Sequence, residues 1–183
     1  MRTAVLVAAV VSGLAISWVH ARTFETRNEA FSRLFSDQVT IDRQTVFLSE
    51  EQMQLVQKSA RARVQHARVT YYVISVDDSL IGRAYLDTHP VRSMQETLLI
   101  VLGGDGSSQS VDVLAFHEPQ DYLPRRAWYE RLSRLENPRT AHAGDTVDAV
   151  SGATLTVHAT CEALRRISSI DALLFPGNQQ GAP

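Results

Sequence analysis

Hydrophobic positions recur with two periods along the chain, and the changes of period mark its elements. Residues 28–35 place Phe31, Leu34 and Phe35 on one helical face, while 42–48 is extended and ends in Thr45-Val46-Phe47-Leu48. Ser49 with Gln52 three positions later forms a capping box, and the helix it starts buries Met53, Val56 and Ala60. The pattern then becomes β-branched and aromatic. Residues 69–76 predict a strand, Asp77-Asp78-Ser79 a turn, and 80–86 a second strand in which Gly82 marks a bulge or a close approach. Residues 96–102 and 110–116 predict two more strands on either side of Gly103-Gly104-Asp105-Gly106-Ser107-Ser108. A phosphate-cradling loop is followed by a helix, whereas here a strand follows, so this glycine-rich loop reads as a hairpin.

Four consecutive strands with short turns predict an antiparallel meander. A helix over 125–135 follows, with Pro124 at its first turn and Trp128, Leu132 and Leu135 inward. Residues 137–145 are a polar connector. In the last helix Val157, Cys161, Leu164 and Ile167 recur at spacings of four and three. After Ile170 the chain is expected to turn into a short apolar end, 172–175, that docks on the sheet. The fold class is α+β: an antiparallel β-sheet (meander) packed with helices over 22–176, ending in a disordered tail, 177–183.

The first residues have a different character. Arg2 precedes an apolar run over 4–19, broken only by Ser12, Gly13 and Ser17, and Val19-His20-Ala21 fits the small-x-small rule of a cleaved secretory signal. The mature chain would then begin near Arg22. An uncleaved membrane anchor is the alternative, since the run is only slightly short of the ~20 residues of a full span. Both readings place the rest of the chain outside the cytoplasm.

Composition narrows the classes further. Without residues 1–21, about 160 residues remain, enough for one domain with a substantial core. The net charge is −2 with no basic run, which argues against nucleic acid and anionic membrane surfaces as partners. The single cysteine, Cys161, allows no internal disulfide, and its place on an apolar stripe makes it a small core residue. Without a cysteine cluster there is no zinc or iron–sulfur site to propose.

The candidate chemistry lies in Asp148-Ala149-Val150-Ser151-Gly152-Ala153-Thr154-Leu155-Thr156. The β-branched Val150 leads into a small-residue corner, and Thr154 opens the last helix. The first turn of a helix has amides without partners and the positive end of the dipole, a ready site for phosphate. Gly152 and Ala153 let a bulky phosphorylated group approach the backbone. The same pattern also suits an ordinary cap supplied by Ser or Asp.

Asp148, Ser151, Gly152, Ala153 and Thr154 resemble the D-x-x-[ST]-G-A-[TS] flavinylation motif of the FMN-binding domain. That domain occurs in the FMN-bearing subunits of the Rnf and sodium-pumping NADH:quinone oxidoreductase complexes, in the extracytoplasmic part of the nitrous-oxide-reductase regulators, and in small exported proteins. The resemblance implies that Thr154 carries FMN through a phosphoester, installed by a flavin transferase that uses FAD and magnesium. Ser151, Gly152 and Ala153 would lend amides and room, and Thr156 a further phosphate hydrogen bond. Asp148 would be read by the transferase and point aside. Where Rnf-type subunits hold Glu-Thr-Pro-Gly-Leu-Gly around the flavin, this chain keeps Glu118 and Leu123 but lacks the glycine-rich body. Glu118 and Tyr122 are therefore carried over as candidates for flavin contact, as in the smaller exported members. The large Rnf-type subunits retain an N-terminal helix as an anchor. The implied function is an extracytoplasmic electron carrier serving a membrane or periplasmic redox partner.

Two other classes stand beside this. One is an unmodified exported binding or assembly module of the same fold. The other is a hydrolase with Ser151 or Thr154 as nucleophile, served by His117, His142 or His158. No Gly-x-Ser-x-Gly elbow is present. His117 and its neighbour Glu118 would point to opposite faces of a strand, which leaves His117 facing solvent. His158 lies four residues after Thr154 on the same helix.

Overall fold

The computed structural model describes residues 22–179; the signal or anchor segment expected at 1–21 lies outside the described residues. Six antiparallel strands form one sheet in the order β1-β6-β5-β4-β3-β2: β1 Arg22–Thr23, β2 Thr40–Phe47, β3 Arg68–Val76, β4 Ser79–Pro90, β5 Gln95–Gly103 and β6 Ser108–Phe116. The helices are α1 Arg27–Leu34, α2 Glu50–Ala60, α3 Arg126–Leu132 and α4 Thr154–Leu174. The fold is α+β, with the expected four-strand meander as β3 to β6 and β2 added beside β3. No helix among the described residues is long and apolar enough to cross a membrane.

The pleat sorts the core into two layers. Along β5, Leu98, Ile100 and Leu102 join the cluster beneath α2, α3 and α4, while Leu99 and Val101 join a second cluster around Phe31 of α1. Successive side chains of a strand point to opposite faces, and helices on both sides explain why β5 is apolar without alternation. The predicted capping box at Ser49 is present: Gln52 N–H donates to Ser49 Oγ at 3.1 Å and Ser49 N–H to Gln52 Oε1 at 2.8 Å. A second capping box, Thr26 with Glu29, opens α1. Asp77 and Asp78, at φ 46° and 61°, make the two-residue turn between β3 and β4. The glycine-rich loop joins β5 to β6 as a hairpin.

Several boundaries differ from the expectation. Strand β1 was not foreseen because two residues carry no period. Strand β4 continues past Leu86 through Asp87, Thr88 and His89, which pair with Leu98, Thr97 and Glu96. Gly82 faces Ile74 where the β3–β4 register shifts, and a Cβ there would lie 2.6 Å from the Leu102 carbonyl oxygen, so bulge and close approach coincide. Helix α3 is shorter than 125–135, and Pro124 precedes its cap, Arg125. Helix α4 does not stop at Ile170 but runs to Leu174, because Asp171 is buried against Arg83 and Tyr85 of β4. The apolar end docks through Phe175, whose ring meets Tyr71 edge-on and lies 4.3 Å from the Arg83 guanidinium carbon. The expected tail begins with a short 3-10 turn, Pro176–Gln179.

Candidate functional site

At one end of the sheet the β4–β5 turn, the stretch after β6 and the start of α4 enclose a cavity of about 150 Å³. It is lined by Val91, Arg92, Glu118, Tyr122 and residues 152–156. The corner that enters α4 is built by a turn in which Ala153 N–H donates to the Val150 carbonyl at 3.1 Å. Gly152 sits in that turn at φ +85°, a backbone region open to glycine, with nothing within 4 Å of where a Cβ would lie. Val150 is not part of the sheet, so the corner joins a loop, not a strand, to the helix.

No side chain caps α4. Its cap residue is Ala153, 3 % exposed, and the Ser151 side chain is exposed and bonds none of the first amides. The first intrahelical bond is Val157 N–H to Ala153 O. The N–H groups of Thr154, Leu155 and Thr156 are therefore without protein partners among the described residues, as the geometry of a helix start requires. Thr154 is exposed at this point. The alternative of an ordinary Ser or Asp cap does not describe this corner.

The other predicted residues are distributed around it. Asp148 points aside: its carboxylate pairs with Arg131 of α3, and its carbonyl accepts from Trp128 Nε1 at 2.8 Å. Helix α3 thus holds the motif loop by main chain and side chain. Thr156 is buried, and its hydroxyl donates to the Tyr122 carbonyl at 2.6 Å. The expected donation to a phosphate would have to break that bond, so Thr156 ties α4 to the 3-10 turn Gln120–Tyr122. The Tyr122 side chain is 36 % exposed at the cavity. Glu118 is 3 % exposed, and its Oε1 accepts from Ser93 N–H at 2.6 Å, Ser93 Oγ at 3.2 Å and Met94 N–H at 2.8 Å. Burial pushes the Glu118 carboxyl up, but the Ser93 and Met94 amides outweigh it and hold the group below the usual carboxylate range. Glu118 thus anchors the β4–β5 turn.

Two features escaped the sequence reading. The β4–β5 turn, closed by Val91 N–H to Met94 O at 3.0 Å, brings Arg92 to the cavity. The second is a buried charge chain between sheet and α4. His89 lies between Asp87 (Nδ1 to Oδ1, 2.8 Å) and Glu96 (Nε2 to Oε2, 3.1 Å), and Arg166 pairs with Asp87 at 2.7 Å. Thr160 Oγ1 donates to Glu96 Oε2 at 3.0 Å and the Tyr129 hydroxyl to Oε1 at 2.9 Å. Burial disfavours the imidazolium, yet the two flanking carboxylates raise His89 to about 9. Burial also pushes Asp87 up, and hydrogen bonds from His89 and Arg166 outweigh it and lower the group. The available signal was the spacing of Asp87 and His89, two apart and so on one strand face. Cys161 is fully buried in the main core, where burial pushes its thiol up to about 11.

For nucleophilic hydrolysis the arrangement is poor. No histidine hydrogen-bonds Ser151 or Thr154 among the described residues. His158 is exposed, His142 Nδ1 bonds the Thr140 carbonyl at 3.0 Å, and His117 is half-buried away from the cavity.

Residues 94–169 match the family model of the FMN-binding domain. The match spans β5, β6, α3, the motif corner and most of α4, and this part of the chain is similar to the FMN-binding domain family. No curated protein and no solved structure matches the chain. The residues present fit such a cofactor. Three unpartnered amides at an uncapped helix start suit its phosphate. Around them Leu155 (54 % exposed) and Tyr122, both lining the cavity, leave apolar surface uncovered for a planar ring. The cavity is smaller than the roughly 300 Å³ or more of a site that encloses a whole ligand, so it suits the phosphate end with the ring across the rim.

Proposed function

We propose that the chain is an extracytoplasmic electron carrier whose FMN is attached to Thr154 by a phosphoester. The observation that carries this is the start of α4, where an exposed Thr154 stands among unpartnered amides with no side-chain cap. In the loading step the Thr154 oxygen forms a bond to the FMN phosphorus of FAD, the pyrophosphate bond to AMP breaks, and the threonine proton is released. A flavin transferase with magnesium is the partner that the motif implies. Amides of 154–156 neutralise the new phosphate charge, and the Gly152 corner leaves room for it. Asp148, held by Arg131, keeps its own charge away from that phosphate.

Once attached, FMN supplies one- or two-electron redox chemistry, and the protein supplies placement and electrostatics. Covalent attachment suits a location where a dissociable cofactor would be diluted away. The apolar run at 4–19 supports export, either as a cleaved signal or as an anchor. A membrane or periplasmic redox partner then exchanges electrons across the exposed rim of Tyr122 and Leu155.

The test is an intact mass of the protein made in an exporting host that also expresses a flavin transferase, with peptide mapping and a Thr154→Ala control. An FMN-sized addition on the Thr154 peptide, lost entirely in the control, is expected. An unmodified chain without bound yellow chromophore would overturn the proposal and leave the binding-module reading in its place.

A further inference from the structure

Among the residues lining the Thr154 cavity, one carries a positive charge, and it does no work for the fold. Arg92 is exposed at the tip of the β4–β5 turn. Of the arginines on the helices packed at this end, Arg131 pairs with Asp148, Arg126 with Glu130 and Arg166 with Asp87, and none of them lines the cavity. Among the described residues Arg92 has no ion-pair or side-chain hydrogen-bond partner. Its backbone, by contrast, is tightly fixed. The turn is closed by Val91 and Met94, and the next two residues donate three hydrogen bonds to one buried oxygen of Glu118. A buried carboxylate with that many donors is a strong and directional anchor.

We infer that Arg92 is the cationic partner of the phosphoester at Thr154, and that Glu118 is a positioning residue that acts through the β4–β5 turn instead of touching the flavin. The inference rests on the reading that Thr154 carries FMN. Its logic is charge balance. Glu118 is itself an anion at the cavity wall, and its three donors absorb its charge at Oε1. The α4 amides and Arg92 then meet the phosphate from the helix side and the turn side. Arg92 lies two residues before the segment that matches the family model, so this contribution comes from the chain's own β4–β5 turn.

The test compares wild type with Arg92→Gln, Arg92→Lys and Glu118→Gln, each loaded by flavin transferase with FAD and magnesium. Two quantities are read: the rate of mass addition and the ³¹P resonance of the loaded protein. Removing a charge-assisted hydrogen bond to phosphate is expected to slow loading by about tenfold or more. In Arg92→Gln the ³¹P resonance should shift, in Arg92→Lys it should return towards wild type, and Glu118→Gln should shift it in the same direction as Arg92→Gln. The melting temperature of unloaded Arg92→Gln should equal that of wild type, because Arg92 supports no contact in the fold. A double variant should lose no more than the larger single loss, as residues acting through one another do. Slower loading with an unchanged ³¹P resonance would place Arg92 at the transferase contact and overturn the inference, as would wild-type behaviour on both readouts. Wild type that takes no FMN overturns both this inference and the function on which it rests, whereas a failure confined to the variants leaves Thr154 as the acceptor.

Discussion

The first turn of α4 and the body of the same helix treat polar groups in opposite ways. At the start, three amides have no protein partner, the cap is an alanine, and Thr154 and Leu155 are exposed. From Thr160 to Asp171 the helix carries polar and charged groups into the core, and nearly all are partnered. Arg166, Asp87, His89 and Glu96 alternate in sign along one buried chain, and Asp171 takes Arg83 and Tyr85. A buried charge without a partner is far more costly than one in a satisfied network, while an unpartnered amide at the surface is held by water at little cost. The body of the helix therefore fixes its position on the sheet, and that rigidity lets the start remain open for a ligand. One orphan remains opposite the body: Nη1 of Arg83, on β4, has no partner.

The largest effect is expected from breaking the body. Arg166→Met removes one end of the charge chain and leaves Asp87 buried beside His89. Loss of one partner of a buried pair costs about 3–5 kcal/mol, measurable as a fall in the urea midpoint at neutral pH. A loss below about 1 kcal/mol would mean that the chain does not hold the helix.

The next effect comes from pH. His89 is raised from 6.5 to about 9 in the folded protein. A raised pKa means that the stabilisation is complete below pH 6.5 and is lost as pH rises through about 9. The shift corresponds to about 3 kcal/mol. Asp87 is lowered, so its contribution is lost on acidification below its ordinary value of 3.8. Unfolding free energy should therefore be greatest between those limits and decline above pH 6.5. His89→Gln should flatten the alkaline limb, and an equal slope in that variant would sink the assignment.

A smaller effect marks the junction between the two regions. Thr156→Val removes the hydrogen bond to the Tyr122 carbonyl and should cost about 1 kcal/mol. It should still accept FMN at Thr154, since the hydroxyl faces the 3-10 turn; loss of loading at intact stability would reassign Thr156 to the phosphate. The smallest effect belongs to the open end. Ser151→Ala should change stability by less than about 0.5 kcal/mol, because Ser151 caps nothing. A loss of about 1 kcal/mol, the usual worth of a cap, would show that the serine closes the helix in solution.

Much of the scaffold was legible from local patterns. Ser49 and Gln52 announce α2, Asp77 and Asp78 the first hairpin, and the β-branched runs the meander, because each rule acts over a few residues. The boundaries that failed depend on distant partners. Leu86 looks like the end of a strand, yet β4 continues, since Asp87 and His89 are partnered by Arg166 and Glu96. Ile170 looks like the end of a helix until Arg83 draws Asp171 inward.

The site divides along the same line. The sequence by itself determined that 148–156 is a small-residue corner opening a helix, with Thr154 first in that helix, because glycine, alanine and hydroxyl residues impose that locally. Only the tertiary structure decided what surrounds the corner. It brought the β4–β5 turn and its Arg92 to the start of α4, gave the Thr156 hydroxyl the Tyr122 carbonyl as partner, and made Glu118, in the cavity wall, an anchor of that turn. Those relations join residues some 25 to 60 positions apart in the chain, and they follow from how the sheet and helix pack, which no local period encodes.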